Sequence, residues 1–185
     1  PQSAYSLLRA AIQDPDPVMF LEPRILYAER GEVDTNLRLK LGQARVISSG
    51  DQLTVVALGN SVNTAKSAIE ELKISAELID LGTLVPWDRK TVIDSVAKTG
   101  RLIVIEEAPK SGGWGSEICA AVTSEIFEKL KAAPFRITTP DVPVPFNGGL
   151  EAKFVPHKSD IVRQISEFMS TGKTPKPWWE LELKK

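Results

Sequence analysis

From residue 52 to residue 139, four nearly continuous apolar runs, "QLTVVAL", "AELIDL", "RLIVIEE" and "FRITT", are separated by three stretches of helical period. Nothing else in the chain limits its folding as tightly. Apolar runs without polar alternation make strands buried on both faces. Such strands, separated by helices, build a parallel sheet with right-handed crossovers. The predicted class is therefore α/β, a three-layer αβα arrangement with a mostly parallel sheet. The intervening helices are predicted at 61–73, 88–98 and 115–131. In the first, Val62, Ala65, Ile69 and Leu72 recur on one face of a 3.6-residue period, while Lys66, Glu70 and Lys73 point elsewhere. Ser61 and Asp88 stand where N-caps are wanted, and Gly100 where the second helix should end.

On the amino-terminal side, "SLLRAAIQ" (6–13) has helical character and stops at "DPDP", because proline fixes φ and keeps the preceding residue out of the α region. "VMFLE" (18–22) reads as a short strand. Residues 28–44 carry charges of both signs with no sustained period, and read as a linker. After "TPDVPVPFNGG" a last amphipathic helix carries Ile161, Val162, Ile165, Phe168 and Met169, and the tail "TPKPWWELELKK" reads as extended. The expected segments are 1–27, a linker at 28–44, the main domain at 45–172 and a tail at 173–185.

With 185 residues, 42% of them hydrophobic, the chain can bury a real core. A formal net charge of −1 and the lack of any basic run argue against nucleic acid and membrane surfaces as partners. The longest apolar runs fall far short of a membrane span. A single cysteine, Cys119, rules out an internal disulfide and points to a reducing compartment. The start at Pro1, without Met or a targeting pattern, suggests a processed or partial chain.

Few residues advertise chemistry. The turn "SGGWGSE" (111–117) lacks the lysine that ends a phosphate loop, and it lacks a full G-x-G-x-x-G. A helix start can hold an anion, but Glu117 would repel one, so the glycines read as making a corner with Trp114 packed at the sheet edge. His157, the only histidine, sits in a loop with no nucleophile or carboxylate directed to it. Cys119 aligns with Val122 and Ile126 on a helix and reads as a small buried hydrophobe. Glu106 and Glu107 are adjacent on a strand, so they point to opposite sides. One would face the carboxyl edge, where open α/β sheets bind ligands, and the other solvent. Asp14 and Asp16 fit a turn, although carboxylates at that spacing also suit a hard cation. Trp178 and Trp179 are expected to dock on the body or on a neighbouring subunit.

"PVMFLEPRILY", "AELIDLGTLVPWD", "KTGRLIVIEEAPKSGGWGSEI" and "TPDVPVPF" occur in an order and spacing that resemble the beta subunit of thiamine-diphosphate-dependent 2-oxo acid dehydrogenases. "LEPRILY" and "VPWD" look most like the branched-chain (2-oxoisovalerate) type, with the pyruvate and acetoin types next. The resemblance implies that residues 1–27 are the last helix and strand of a pyrimidine-binding domain and that a transketolase C-terminal domain follows. It implies oxidative decarboxylation of a 2-oxo acid with acyl transfer to lipoyl groups, using thiamine diphosphate and Mg. The activating glutamate and the pocket histidine would lie upstream, so no catalytic or cofactor-binding residue falls in this chain, which alone would be inactive. The implied partners are an alpha subunit and a second beta subunit in a heterotetramer, and the basic subunit-binding domain of the acyltransferase core. The implied compartment is the mitochondrial matrix in a eukaryote and the cytoplasm in a bacterium.

In the resembling family, "AIQDPDP" corresponds to a segment that ligates a structural monovalent cation, which implies K+ at Ala11 (carbonyl), Asp14 and Asp16, with half the shell supplied from elsewhere. "EEAPKSGGWGSEI" corresponds to a turn serving fold and subunit contacts, so Trp114 and Glu107, with Trp178 and Trp179, are the candidate interface residues. Two positions depart from the pattern: Glu106 stands where histidine is usual, and Gly82 where arginine is usual. Loss of a cation–anion contact is expected at that edge. "NGGLEAKFVP" also replaces a proline-rich approach to the last helix. Two alternatives remain beside the beta-subunit reading: a non-catalytic docking or regulatory module, and the C-terminal domain of another transketolase-like thiamine enzyme.

Overall fold

The computed structural model describes residues 1–182, with side chains described through Glu180. Five strands form one sheet: β1 (Arg45–Ser48), β2 (Leu53–Ala57), β3 (Ala76–Asp80), β4 (Leu102–Pro109) and β5 (Phe135–Thr139). Their order is β1-β3-β2-β4-β5. The last four are mutually parallel, and β1 runs antiparallel to β3, with Arg45 opposite Asp80. The helices are α1 (Gln2–Gln13), α2 (Asn60–Leu72), α3 (Arg89–Thr99), α4 (Gly115–Ile126), α5 (Gly148–Glu151), α6 (Lys158–Thr171) and α7 (Trp179–Glu182).

The unbroken apolar runs of β2 and β4 divide between two cores because successive strand residues point to opposite faces. On one face Leu53, Val55, Ile103 and Ile105 pack against Ala65 and Ala68 of α2 and Ile161, Ile165 and Phe168 of α6. On the other, Val56, Val104 and Ile79 pack against Val92 and Val96 of α3 and Ile118 and Val122 of α4. Thr54 is buried beneath α3, where its hydroxyl lies 2.7 Å from Ser95 Oγ and 2.9 Å from Thr99 Oγ1. This pairing offsets the desolvation of three hydroxyls.

Asp88 caps α3 as expected, accepting from Thr91 N at 3.0 Å, and Gly100 ends it at φ +73°. Ser61 does not cap α2. The helix begins one residue earlier, behind Gly59 at φ +62°, and Ser61 is buried. The stretch 18–22 is not a strand, since among the described residues no neighbour pairs with it. A 3-10 turn follows at Arg24–Ala28. The predicted helix to residue 131 stops at Ile126, followed by a 3-10 turn at Phe127–Lys129. β1 and α5 were not expected: β1 is four half-exposed residues with a bulge between Val46 and Ser48, a pattern too short to show a period.

The tail departs from the extended reading at α7, and residues 183–185 lie outside the described residues. Before that helix it covers the outer edge of β5. Trp178 Nε1 donates to the Thr138 carbonyl at 2.8 Å, and Gln164 Nε2 donates to the Lys176 carbonyl at 3.0 Å. An indole N–H thus satisfies a strand-edge acceptor while the ring, 1% exposed, joins the core of Phe168 and Ile137.

Candidate functional site: the carboxyl edge of the sheet

The chain leaves β2 toward β3 on one side and then returns across to β4 on the other, so the order reverses between β2 and β4. Open α/β sheets expose their ligand or partner crevice beyond the strand ends at such a point. Here the first residue of α2 meets the end of β4: Asn60 Nδ2 donates to Glu107 Oε1 at 3.1 Å. Glu107 is exposed and its neighbour Glu106 is buried, the opposed orientations that the strand period predicts.

Glu106 organises the glycine turn. Its side chain is 0% exposed and its Oε1 accepts from Arg136 Nε at 2.5 Å. Its Oε2 accepts from the Gly115 backbone N–H at 3.0 Å, at the start of α4. The same guanidinium donates through Nη1 to the Lys110 carbonyl at 2.7 Å and through Nη2 to the Pro109 carbonyl at 3.2 Å. A Cβ on Gly113 would collide with Arg136 Nη2 and come within 2.6 Å of the Pro109 carbonyl, and one on Gly115 would lie 2.7 Å from Glu106 Oε1. The glycines therefore make the corner, and they make it around an internal ion pair. A helix start attracts anions, and the anion here is the protein's own carboxylate. The expected loss of a cation–anion contact does not occur at Glu106: Arg136 supplies the cation from β5. Gly82 lies at φ +67°, a region that favours glycine over a side chain such as arginine. Its N–H donates to Asp80 Oδ1 at 3.2 Å, and burial pushes the Asp80 carboxyl up despite this bond and the nearby Arg45.

The same edge displays apolar side chains. Val85, after β3, is 94% exposed, and Val142, Val144 and Phe146, after β5, are all exposed. The amino-terminal segment passes over the end of β2, with Pro23 Cγ 3.3 Å from where a Gly59 Cβ would sit, and presents Met19, Leu21, Ile25 and Tyr27 to solvent. Trp114 is half-buried against the α3–α4 core. Trp179 is half-buried beside Trp178, their rings edge to face at 5.6 Å. Of the four candidate interface residues, Glu107 is the exposed one, and Trp178 is enclosed by its own domain.

Ala11, Asp14 and Asp16 lie at the end of α1, away from the turn. Asp14 Oδ1 accepts from the Asp16 N–H at 3.0 Å, and Pro15 and Pro17 offer no N–H to the Ala11 and Gln13 carbonyls at helical spacing. Among the described residues no three His, Cys, Asp or Glu side chains converge as a metal cluster would. His157 is exposed at the start of α6, where its backbone N–H donates to Asp160 Oδ2 at 3.1 Å. Burial, the largest influence on Cys119, pushes its thiol up to about 12.

Sequence reasoning missed the Glu106–Arg136 pair, which spans 30 residues. The signal was the sheet register: Val104 lies opposite Arg136, and Glu106, two residues on, points to the same face.

A sheet reversing beyond β2, layered between two helical faces, defines the open three-layer α/β domains. Residues 42–161 match the family described as transketolase, C-terminal domain, and the chain belongs to that family. It is 44% identical over 170 residues to the mitochondrial pyruvate dehydrogenase E1 component subunit beta of Pisum sativum, covering 88% of this chain and 47% of that protein. It is likewise 44% identical over 159 residues to the corresponding subunit of Mycoplasma pneumoniae, covering 83% of this chain and 49% of that one. To the mitochondrial 2-oxoisovalerate dehydrogenase subunit beta of Dictyostelium discoideum it is 40% identical over 151 residues, covering 78% and 41%. A solved structure of a split-gene transketolase, an inactive beta4 tetramer, superposes with a TM-score of 0.62 at 26% identity, covering 74% of this chain and 44% of that one. The chain spans about half the length of the curated relatives it matches.

Proposed function

We propose that the chain serves as the transketolase C-terminal part of the beta subunit of a thiamine-diphosphate-dependent 2-oxo acid dehydrogenase, and that its work is assembly rather than chemistry. The intact enzyme would decarboxylate a 2-oxo acid and pass the acyl group to lipoyl arms. The observation that carries the assembly reading is the set of exposed apolar side chains: Val85 after β3, Val144 and Phe146 after β5, and Met19 and Leu21 in the amino-terminal segment. Apolar surface of this kind marks a face that another body covers. The proposed bodies are a second beta subunit and an alpha subunit, with exposed acidic residues such as Glu107 offered to the basic subunit-binding domain of the acyltransferase core. The compartment would be the mitochondrial matrix in a eukaryote or the cytoplasm in a bacterium; the Pisum sativum and Dictyostelium discoideum relatives are named as mitochondrial, and the Mycoplasma pneumoniae one is bacterial.

The described residues do not fit thiamine diphosphate. The glycine-rich helix start is filled by the Glu106 carboxylate, which would repel a diphosphate, and Glu117 stands in the first turn of α4. When bound elsewhere in the assembly, the cofactor would supply the carbanion chemistry, and this chain would hold the subunits that frame it. The cation proposed at Ala11, Asp14 and Asp16 would likewise need donors from beyond this segment.

Light scattering at micromolar concentration tests the assembly reading. A dimer or larger species is expected, and a strict monomer that also fails to bind an alpha subunit would overturn it.

A further inference from the structure

The sheet ends in β1 on one side and β5 on the other, and the chain guards these two edges by different means. An edge strand carries unpaired N–H and C=O groups and is a template for another strand unless it is short, bulged, charged or covered. β1 guards itself, with four residues and a bulge between Val46 and Ser48. β5 has no such device of its own. Its sequence, "FRITT", is rich in residues that favour strands and contains no proline. Its one charge, Arg136, turns inward, and Glu106 answers it.

What covers β5 is the tail. The Thr138 carbonyl points away from β4, since it accepts from Trp178 Nε1, and the backbone groups of Arg136, two residues earlier, turn the same way. The tail blocks this edge without becoming a strand, because Pro175 and Pro177 have no N–H to offer. Two tethers hold it: the enclosed ring of Trp178, and Gln164, whose Nε2 donates to the Lys176 carbonyl. Gln164 is itself buried on the apolar face of α6, and among the described residues its Oε1 has no partner. A buried amide with unmet hydrogen-bonding capacity costs stability, and what it supplies here is the hold on the tail.

We propose that the outer edge of β5 is a docking edge for a second copy of this chain, kept closed by residues 173–178. Two β5 strands set antiparallel about Ile137 place Arg136 of each opposite Thr138 of the other, so the outward N–H and C=O groups of both copies find partners. Charge does not oppose the pairing, because each guanidinium stays with its own Glu106. This edge is backbone, distinct from the exposed apolar side chains of the assembly reading, and the inference does not rest on that reading.

The test uses the 185-residue chain and a fluorescein-labelled peptide of residues 134–140 as a stand-in for the second copy. In fluorescence anisotropy the unaltered chain is expected to show no binding up to about 1 mM peptide. The double variant Gln164→Leu/Trp178→Ala, which cuts both tethers, should bind it at least about tenfold more tightly. The same peptide N-methylated at Arg136 and Thr138 keeps its side chains and loses its outward donors, so its binding should fall by about tenfold or more. In light scattering the double variant should form a larger species than the unaltered chain at equal concentration. Circular dichroism checks the fold, and if the double variant is unfolded, Trp178→Phe, which keeps a ring in the core and loses the N–H, takes its place with the same outcomes. The proposal is overturned by a folded variant that ignores the peptide or stays the size of the unaltered chain. It is equally overturned by an unaltered chain that binds the peptide as well as the variant does. Equal binding of the N-methylated peptide would mean that uncovered apolar surface, not the strand edge, makes the contact.

Discussion

In the sheet, Val55, Ile79, Val104 and Ile105 are wholly buried, whereas between Pro15 and Ala28 the side chains of Met19, Leu21, Ile25 and Tyr27 stand in solvent. Both regions are rich in apolar residues, and composition alone would rank them alike. They differ in partners. The strands β2, β3 and β4 have strand neighbours on both sides, β5 has β4 on one side and the tail on the other, and helices cover both faces, while the amino-terminal segment after α1 touches the body at points such as Pro23 over Gly59. A hydrophobic segment is a core element only if the chain brings it a second surface. Without one, it is a surface waiting for another body.

The contrast can be broken by mutation. Phe168→Ala should destabilise the body by about 3–5 kcal/mol, because the ring is fully buried against Phe135 and α6 cannot collapse into the gap. Urea unfolding measures this, and a loss near that of a surface change would mean the body has no fixed core.

Next in size is Glu106→Gln, expected to lower stability by about 3 kcal/mol, since Arg136 would keep its position with no carboxylate to answer it. Gly113→Ala should give about 1–3 kcal/mol by crowding the same pair, and a negligible effect would mean the turn is looser than its contacts imply.

Asp88→Ala should cost about 1 kcal/mol through the lost cap of α3. Burial raises the Asp88 carboxyl, but the N–H groups of Ala44 and Thr91 and the Thr91 hydroxyl outweigh burial, and its folded value lies below the usual one. A depressed folded pKa means that its contribution is present above the unfolded value near 4 and fades as pH falls through the folded one. Melting curves between pH 7 and pH 2 should therefore show a smaller acid loss in the alanine variant. At the bottom of the scale, Leu21→Ser should change the stability of this chain by less than about 0.5 kcal/mol. If the assembly reading is right, the same change weakens association measurably in light scattering.

Legibility from sequence followed the same division. The strands β2 to β5 and the helices between them were readable because period and burial agree there: Val62, Ala65 and Ile69 form the face that meets the sheet. "VMFLE" looked equally like a strand, but pairing is a property of two segments, and one segment cannot display it. β1 gave too little signal in four residues. The candidate edge was legible only in outline. The opposed directions of Glu106 and Glu107 followed from the strand period, while Arg136 became visible only once β4 and β5 were set in register.

The carboxylate seated at the start of α4 has one more consequence. A turn that relies on a diffusible ion takes its shape from the composition of its surroundings and slackens when the ion is scarce. This turn carries its counter-ion covalently, as the side chain of Glu106, so its local concentration never varies. The edge where β4 meets α4 therefore has the same form in dilute buffer as in a phosphate-rich cell, and any partner that reads that edge meets one shape.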